Sequence, residues 1–352
     1  MTFIYFIILL SVIICIHEGG HLLAAKKFGV YCFEYSFGMG PLIWQKQGKE
    51  TKYSIRAIPI GGYVSMAGET ETDDAYPDVV VPEGRRLNDI AKWKKIIVLL
   101  AGVFMNFVLA WLIFSLTLLH TGAYADSPKA MVGSVMENSP AEAAGFEAGD
   151  VIVRITKEDG NSVEPETYLD MQVFLADNEG GQLQYSILRD GQVLEFTVTP
   201  EYMQEYESYL IGITGPNAEV HSVNLLNCWL YGLKEMRYLA RILITTLLAL
   251  FKGYGLDQLS GPVGIYNAAG QAASMGIATF LVLIGELSLN VGIFNLLPLP
   301  VLDGGQVVIT VAEAVAGREL STRIKTVIMV GCWVLLISMM LFVTWQDIMK
   351  LF

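Results

Sequence analysis

His17, Glu18 and His21 stand together in the stretch "CIHEGGHLLAAKKFG", residues 15–29. On a helix, residues four apart share one face about 6 Å from each other, so His17 and His21 can grip one metal ion. Glu18, next to the first imidazole, can reach a water on that ion. Two imidazole ligands beside a general base form the H-E-x-x-H pattern of zinc hydrolysis. Three specified residues at this spacing coincide by chance in roughly one chain in a hundred of this length. The setting sharpens the signal, because the stretch continues the apolar run "MTFIYFIILLSVII". Ionisable groups inside a membrane span cost several kcal/mol and seldom stand there without a role. The plainer alternative is a histidine pair that only hydrogen-bonds neighbouring helices.

Two histidines do not complete a catalytic zinc site, which takes three protein ligands and a water. The remaining histidines, His120 and His221, are expected at the solvated surface. "LNVGIFNLLPLPVLDGGQ", residues 289–306, offers Asp303 after Asn295, Pro298 and Pro300. Prolines there break a helix. Irregular backbone at membrane depth is tolerated only against protein or a hydrated cavity. The segment alone leaves two readings open: a ligand-bearing break, or a simple Asp-Gly-Gly turn at the interface.

The elements that must carry these residues are membrane spans. Of 352 residues, 53% are hydrophobic and only 16% charged, which fits a polytopic α-helical membrane protein. Four runs are long and apolar enough to cross the hydrocarbon, about 2–24, 95–119, 276–298 and 325–346. The first lacks a basic start and a cleavage site, and is read as a retained span rather than a signal peptide. Lys26, Lys27, Lys46, Arg56, Arg85 and Lys94 place the first connecting loop in the cytosol, as Arg318 and Lys325 do the third. The sparsely basic stretch 120–222 is then extracytoplasmic, and H-E-x-x-H lies near the cytosolic side. A net charge of −12 argues against nucleic acid as a partner. The four cysteines match neither a disulfide framework nor a zinc cluster.

Together these motifs resemble the site-2 proteases, intramembrane zinc metalloproteases, and within them the RseP/RasP/Eep-like branch. The likeness rests on "HEGGH", on "NLLPLPVLDGG", and on "FGMGP", "PIGGYV", "AGVFMNFVLA" and "GPVGI" elsewhere in the chain. It implies one Zn2+ bound by His17, His21 and Asp303, with Glu18 as general base. Asn290 and Asn295 would hold the substrate backbone or the oxyanion. The implied activity is regulated intramembrane proteolysis, in which spans of single-span membrane proteins, such as anti-sigma factors or signal-peptide remnants, are cut within the lipid bilayer. The sequence departs from the family at Gly19-Gly20, which costs about 1 kcal/mol per residue in helix propensity but allows close approach of a neighbour. It departs also at Val103, where the family often has proline.

Four regions follow. Residues 1–119 hold two spans and a membrane-associated β-hairpin within 38–66. Residues 126–202 resemble a PDZ domain of α/β type. In it Ser139 caps a short helix that starts at Pro140 and ends near Gly145, and a hairpin turns at Arg189-Asp190-Gly191. An extended peptide could add to this domain near Val132–Val135, or the domain could be a rigid plug. One PDZ-like stretch rather than two suggests the Gram-positive type of the branch. Residues 222–270 read as an interfacial helix, interrupted by Lys234, Glu235, Arg237 and Arg241, followed by "GPVGI". Residues 271–352 hold the last two spans. Two rival classes are a metal transporter, which should show internal repeats that are not found, and an inactive PDZ-bearing scaffold, which would not need Glu18.

Overall fold

The computed structural model describes residues 1–69, 75–175, 178, 180–204, 208–251, 260–318 and 320–349. Parts of the 126–202 region (176, 177 and 179) and of the 222–270 region (252–259) lie outside the described residues. The chain divides into two compact units. One holds Met1–His120, Leu226–Ala240 and the chain from Leu256 on; the other holds Thr121–Leu225 and the stretch from Arg241.

In the first unit, α1 (Thr2–Lys27) leads into β1 (Cys32–Gln47) and β2 (Lys52–Met66), then α2 (Lys92–Thr121). Among the described residues four helices are long and apolar enough to span a membrane: Thr2–Lys27, Lys92–Thr121, Ile277–Asn295 and Arg323–Met349. These are the four runs read from hydropathy. The chain is a polytopic membrane protein. α2 runs unbroken past Val103. Gly20 explains half of the glycine pair in α1, because a Cβ there would overlap the Ala101 carbonyl of α2. Gly19 meets no comparable obstacle, its nearest neighbour being the Tyr35 hydroxyl at 3.7 Å.

The hairpin is folded back on itself. Cys32–Phe37 pairs with Gly62–Met66 on one side and with Lys52–Ile55 on the other, and Lys52–Arg56 pairs in turn with Leu42–Gln47. Gly38 and Gly61, at φ +81° and +86°, take the left-handed backbone that this doubling needs. The hairpin lies along α1. Ser11 Oγ donates to the Pro59 carbonyl at 3.2 Å, and Tyr35 Oη donates to the Cys15 carbonyl at 2.8 Å.

The second unit is α/β. In chain order it contains β3 (Ala123–Ala125), β4 (Ser134–Val135), α3 (Pro140–Ala144), β5 (Val151–Lys157), β6 (Ser162–Val163) and α4 (Tyr168–Leu175). There follow β7 (Leu183–Arg189), β8 (Gln192–Val198), β9 (Glu201–Met203), β10 (Ser208–Leu210), β11 (Ile213–Thr214) and β12 (Val220–Ser222). The main sheet has the order β6-β5-β7-β8 and closes over Val132, Ile152, Ile155, Leu183, Tyr185 and Ile187. Ser139 Oγ accepts the Glu142 N–H, Pro140 opens α3, and Gly145 ends it at φ +90°. Asp190 and Gly191 turn β7 into β8 at φ +50° and +78°, as the sequence indicates.

The Val132–Val135 edge differs from the expectation of a free peptide-binding strand. It is not open to an added peptide, because the chain fills it. β11 pairs with β4, with Ile213 against Val135 and Thr214 against Ser134. The Val132 N–H is spent on the Asp150 carbonyl at 2.8 Å. The fold of this unit also continues past residue 202, since β12 returns to pair with β3.

α5 (Cys228–Phe251) contributes to both units. Its first turns pack on α2, where Trp111 Nε1 donates to the Trp229 carbonyl at 2.9 Å and Gly232 leaves room for Ser115. α6 (Pro262–Met275) packs on α1, placing Ala269 and Ala272 against Leu9 and Ile13. Its amino terminus is capped from the last span: Asp347 Oδ2 accepts the Gly261 and Gly264 N–H groups, each at 2.9 Å. α7 (Ile277–Asn295), α8 (Asp303–Ala316) and α9 (Thr322–Met349) complete the chain.

Candidate metal centre

His17 and His21 lie one turn apart on α1, both buried, with their Nε2 atoms 3.2 Å from each other. Asp303 reaches them from the start of α8. The prolines at 298 and 300 end α7 and leave an irregular link before a new helix begins. That link crosses the start of α8 at contact distance: a Cβ on Gly304 would overlap the Leu296 carbonyl, and one on Gly305 the Leu299 carbonyl. The two glycines therefore permit the crossing that delivers Asp303. Farther along α8, Glu313 anchors the helix. It takes Lys325 Nζ at 2.6 Å, Lys92 Nζ at 3.5 Å and the Leu320 N–H at 3.0 Å. A carboxylate in a first helical turn is favoured by the helix dipole. That accounts for an acid at 303 but not for its approach to two imidazoles of another helix.

Asp303 Oδ2 lies 3.2 Å from His17 Nε2 and 3.4 Å from His21 Nε2. With the 3.2 Å between the imidazoles this makes a nearly equilateral triangle. Tetrahedral zinc with bonds of about 2.0–2.1 Å sets neighbouring ligand atoms about 3.3–3.4 Å apart. The donor set, two imidazole nitrogens and a carboxylate oxygen, suits zinc as well. His21 Nδ1 donates to the Val98 carbonyl at 2.9 Å, which leaves its Nε2 lone pair facing the triangle. Asp303 Oδ2 is buried yet has no hydrogen-bond partner. Acceptors that converge in this way repel unless a proton or cation is shared among them. The residues fit a zinc ion.

Glu18 is half-buried beside the pair, and its Oε2 accepts the Val64 N–H of β2 at 3.0 Å. The hairpin thus fixes the carboxylate next to the triangle. Asn290 and Asn295 lie in the last turns of α7, half-buried, and neither carboxamide is hydrogen-bonded among the described residues. Asn295 directly precedes Leu296, at the crossing with Gly304, so it stands at the same junction as Asp303. Asn290 is turned about 140° from it around the helix.

His120 is exposed, as expected. His221 is not simply solvated. It is half-buried and pairs through Nε2 with Asp126 Oδ2 at 2.6 Å, close to Glu219, where β12 meets β3.

The family pattern described as peptidase family M50 matches residues 5–339. The chain belongs to peptidase family M50. Curated relatives align over nearly the whole of both chains. A zinc metalloprotease RasP of Shouchella clausii is 31% identical, covering 100% of this chain and 99% of the relative. The regulator of sigma-W protease RasP of Bacillus subtilis is 29% identical with the same coverage. A putative zinc metalloprotease of Clostridium perfringens is 35% identical over 99% of this chain and 98% of its own.

Three groups that hold the triangle and Glu18 are missing from the sequence analysis. They are the Val98 carbonyl, the Val64 N–H, and Asn106, whose side chain meets His17. Backbone groups leave no trace in residue types. Asn106 does leave one, as a lone carboxamide inside the apolar run of span two.

Proposed function

We propose that this zinc metalloprotease of the M50 family cuts peptide bonds inside the spans of single-span membrane proteins, with His17, His21 and Asp303 as zinc ligands and Glu18 as general base. The observation that carries this reading is the triangle of two Nε2 atoms and Asp303 Oδ2, with edges of 3.2, 3.2 and 3.4 Å. It is assembled from residues 282 positions apart in sequence (303 − 21).

A helical substrate hides its carbonyls in its own hydrogen bonds and must unwind before attack. Zinc held by these three side chains would supply a Lewis acid that polarises the scissile carbonyl and acidifies a water. Glu18 takes the proton of the attacking water and passes it to the leaving amine. Its hydrogen bond to Val64 keeps the carboxylate aimed while that happens. Asn295 and Asn290, with uncommitted carboxamides, hold the unwound backbone and the developing negative charge. The hairpin supports membrane contact, because Leu42, Ile43, Trp44 and Ile58 are exposed along it.

In this reading the second unit is a PDZ-like domain outside the cytoplasmic membrane, and it excludes substrates with bulky ectodomains. Its capped α3, the β5-β7-β8 sheet and the loop-charge asymmetry support that placement. The substrates implied are anti-sigma factors and signal-peptide remnants. "Regulator of sigma-W protease", the name of the Bacillus subtilis relative, is in keeping with the first class.

The test uses the purified full chain in micelles with a synthetic single-span substrate. Cleavage should fall inside the span, stop on zinc chelation and return with zinc. Cleavage that ignores chelation, or that falls only in the ectodomain, refutes the proposal.

A further inference from the structure

Both imidazoles of the triangle are backed by one face of a third helix. Val98, Gly102 and Asn106 are spaced four apart and share a side of α2. The first fixes His21: its carbonyl takes the Nδ1 proton at 2.9 Å and leaves Nε2 as the bare nitrogen. The second makes room. A Cβ on Gly102 would overlap the His21 ring and stand 2.9 Å from His17 Cε1. The third meets His17. Asn106 is fully buried, and its Nδ2 lies 3.2 Å from His17 Nδ1.

That last contact has a definite chemical sense. If the amide N–H donates to Nδ1, the ring proton sits on Nε2, where it points at the triangle and blocks a metal. In the same arrangement Asn106 Oδ1 is buried without a partner. A half-turn of the carboxamide about its last torsion exchanges its oxygen and nitrogen. Oδ1 then accepts the proton of Nδ1, and Nε2 of His17 is bared just as it is in His21. Among the described residues Asn106 has no side-chain partner for its carboxamide other than His17. Its only tie to α7 is through its backbone carbonyl, which accepts Ser288 Oγ at 2.9 Å.

We propose that Asn106 is a positioning residue of the metal centre: its carboxamide oxygen holds His17 in the Nδ1–H tautomer and so presents Nε2 to zinc. The proposal rests on the ligand set of the preceding section. Outer hydrogen bonds of this kind set the orientation and basicity of metal-bound imidazoles generally.

Zinc affinity of the full chain in detergent, measured by competition with a chelator, tests it without reference to cleavage. Asn106→Leu and Asn106→Ala remove the acceptor at two different volumes, and each should bind zinc about 10–100-fold more weakly. Asn106→Asp keeps an acceptor and should bind as tightly as wild type or more so. It should also preserve the visible spectrum of the cobalt-loaded protein, which the Leu and Ala variants should alter. Unchanged zinc affinity in the Leu and Ala variants overturns the proposal. So does a loss in Asn106→Asp equal to that in Asn106→Leu, which would mean that packing alone matters. His17→Ala separates the two layers of the argument. If it binds zinc as wild type does, the ligand set itself is wrong; if it loses zinc while Asn106→Leu does not, only the positioning role fails.

Discussion

Asp150 and Asp303 are carboxylates sequestered beside nitrogen-bearing side chains, one in each unit, and their surroundings differ in kind. Asp150 is saturated. Its Oδ1 takes Arg189 Nε at 2.7 Å, and its Oδ2 takes Arg189 Nη2 at 2.8 Å and the Glu147 N–H at 2.9 Å. Arg189 is itself shared with Glu147 and the Gly145 carbonyl. Every strong partner is supplied by the chain, and the cluster ties β7 to the turn that precedes β5. Asp303 aims Oδ2 at two imidazole nitrogens and finds no hydrogen bond there. Burial of charge therefore does not distinguish a structural cluster from a metal centre in this molecule. The convergence of acceptors with no donor of their own does.

Removing each carboxylate should expose the contrast. Asp303→Ala should weaken zinc binding by more than the roughly 100-fold that outer contacts reach, as read by chelator competition. A zinc affinity equal to wild type would place Asp303 with Asp150 as a structural acid. Asn295→Ala should keep zinc but lose about 100–1,000-fold in kcat on a synthetic span; an effect confined to KM would assign Asn295 to binding alone. Gly102→Ala should cost about 10–100-fold in zinc affinity, because the new methyl group displaces the imidazoles. Helix propensity alone favours Ala over Gly by about 1 kcal/mol, so unchanged zinc with a more stable α2 would show the rings to be free to move.

Asp150→Asn should leave zinc untouched and loosen the second unit by about 1.5–3 kcal/mol, seen as faster hydrogen exchange in β5 and β7. Burial opposes ionisation of Asp150, but the Arg189 guanidinium and the Glu147 N–H outweigh it and hold the carboxyl below its ordinary value. A depressed carboxylate adds stability above its unfolded pKa of about 3.9, and that stability fades as pH falls through the folded value. Protection of β5 and β7 should thus decline below about pH 4, and Asp150→Asn should flatten the decline. A variant as acid-sensitive as wild type would assign the effect to other groups.

What could be read beforehand follows from how local its cause is. α1 and α2 declare themselves by continuous hydropathy, and Ser139–Gly145 by a cap, a proline and a left-handed glycine within seven residues. His17 and His21 share one helical face and need only the α period. Asp303 is different: residues 289–306 alone fit a turn as well as a ligand, and its place depends on the Gly304 and Gly305 crossing, which only three dimensions reveal. The doubling of the hairpin depends on register shifts at left-handed glycines, which residue types alone do not locate. The pairing that fills the Val132–Val135 edge leaves no sequence signal, because β11 is a two-residue strand some 80 positions away with no pattern of its own. α8 begins inside a proline- and glycine-rich stretch, whose composition masks the helix start.

The proposed division of labour within "HEGGH" is that His17 and His21 bind the metal and Glu18 moves the proton. Glu18→Gln tests it in one preparation, with zinc content and cleavage of the same single-span substrate measured side by side. The substitution is nearly isosteric, and the amide oxygen can still accept the Val64 N–H. The expected result is one zinc per chain, as in wild type, and no cleavage. Cleavage at the wild-type rate by the zinc-loaded variant would contradict it.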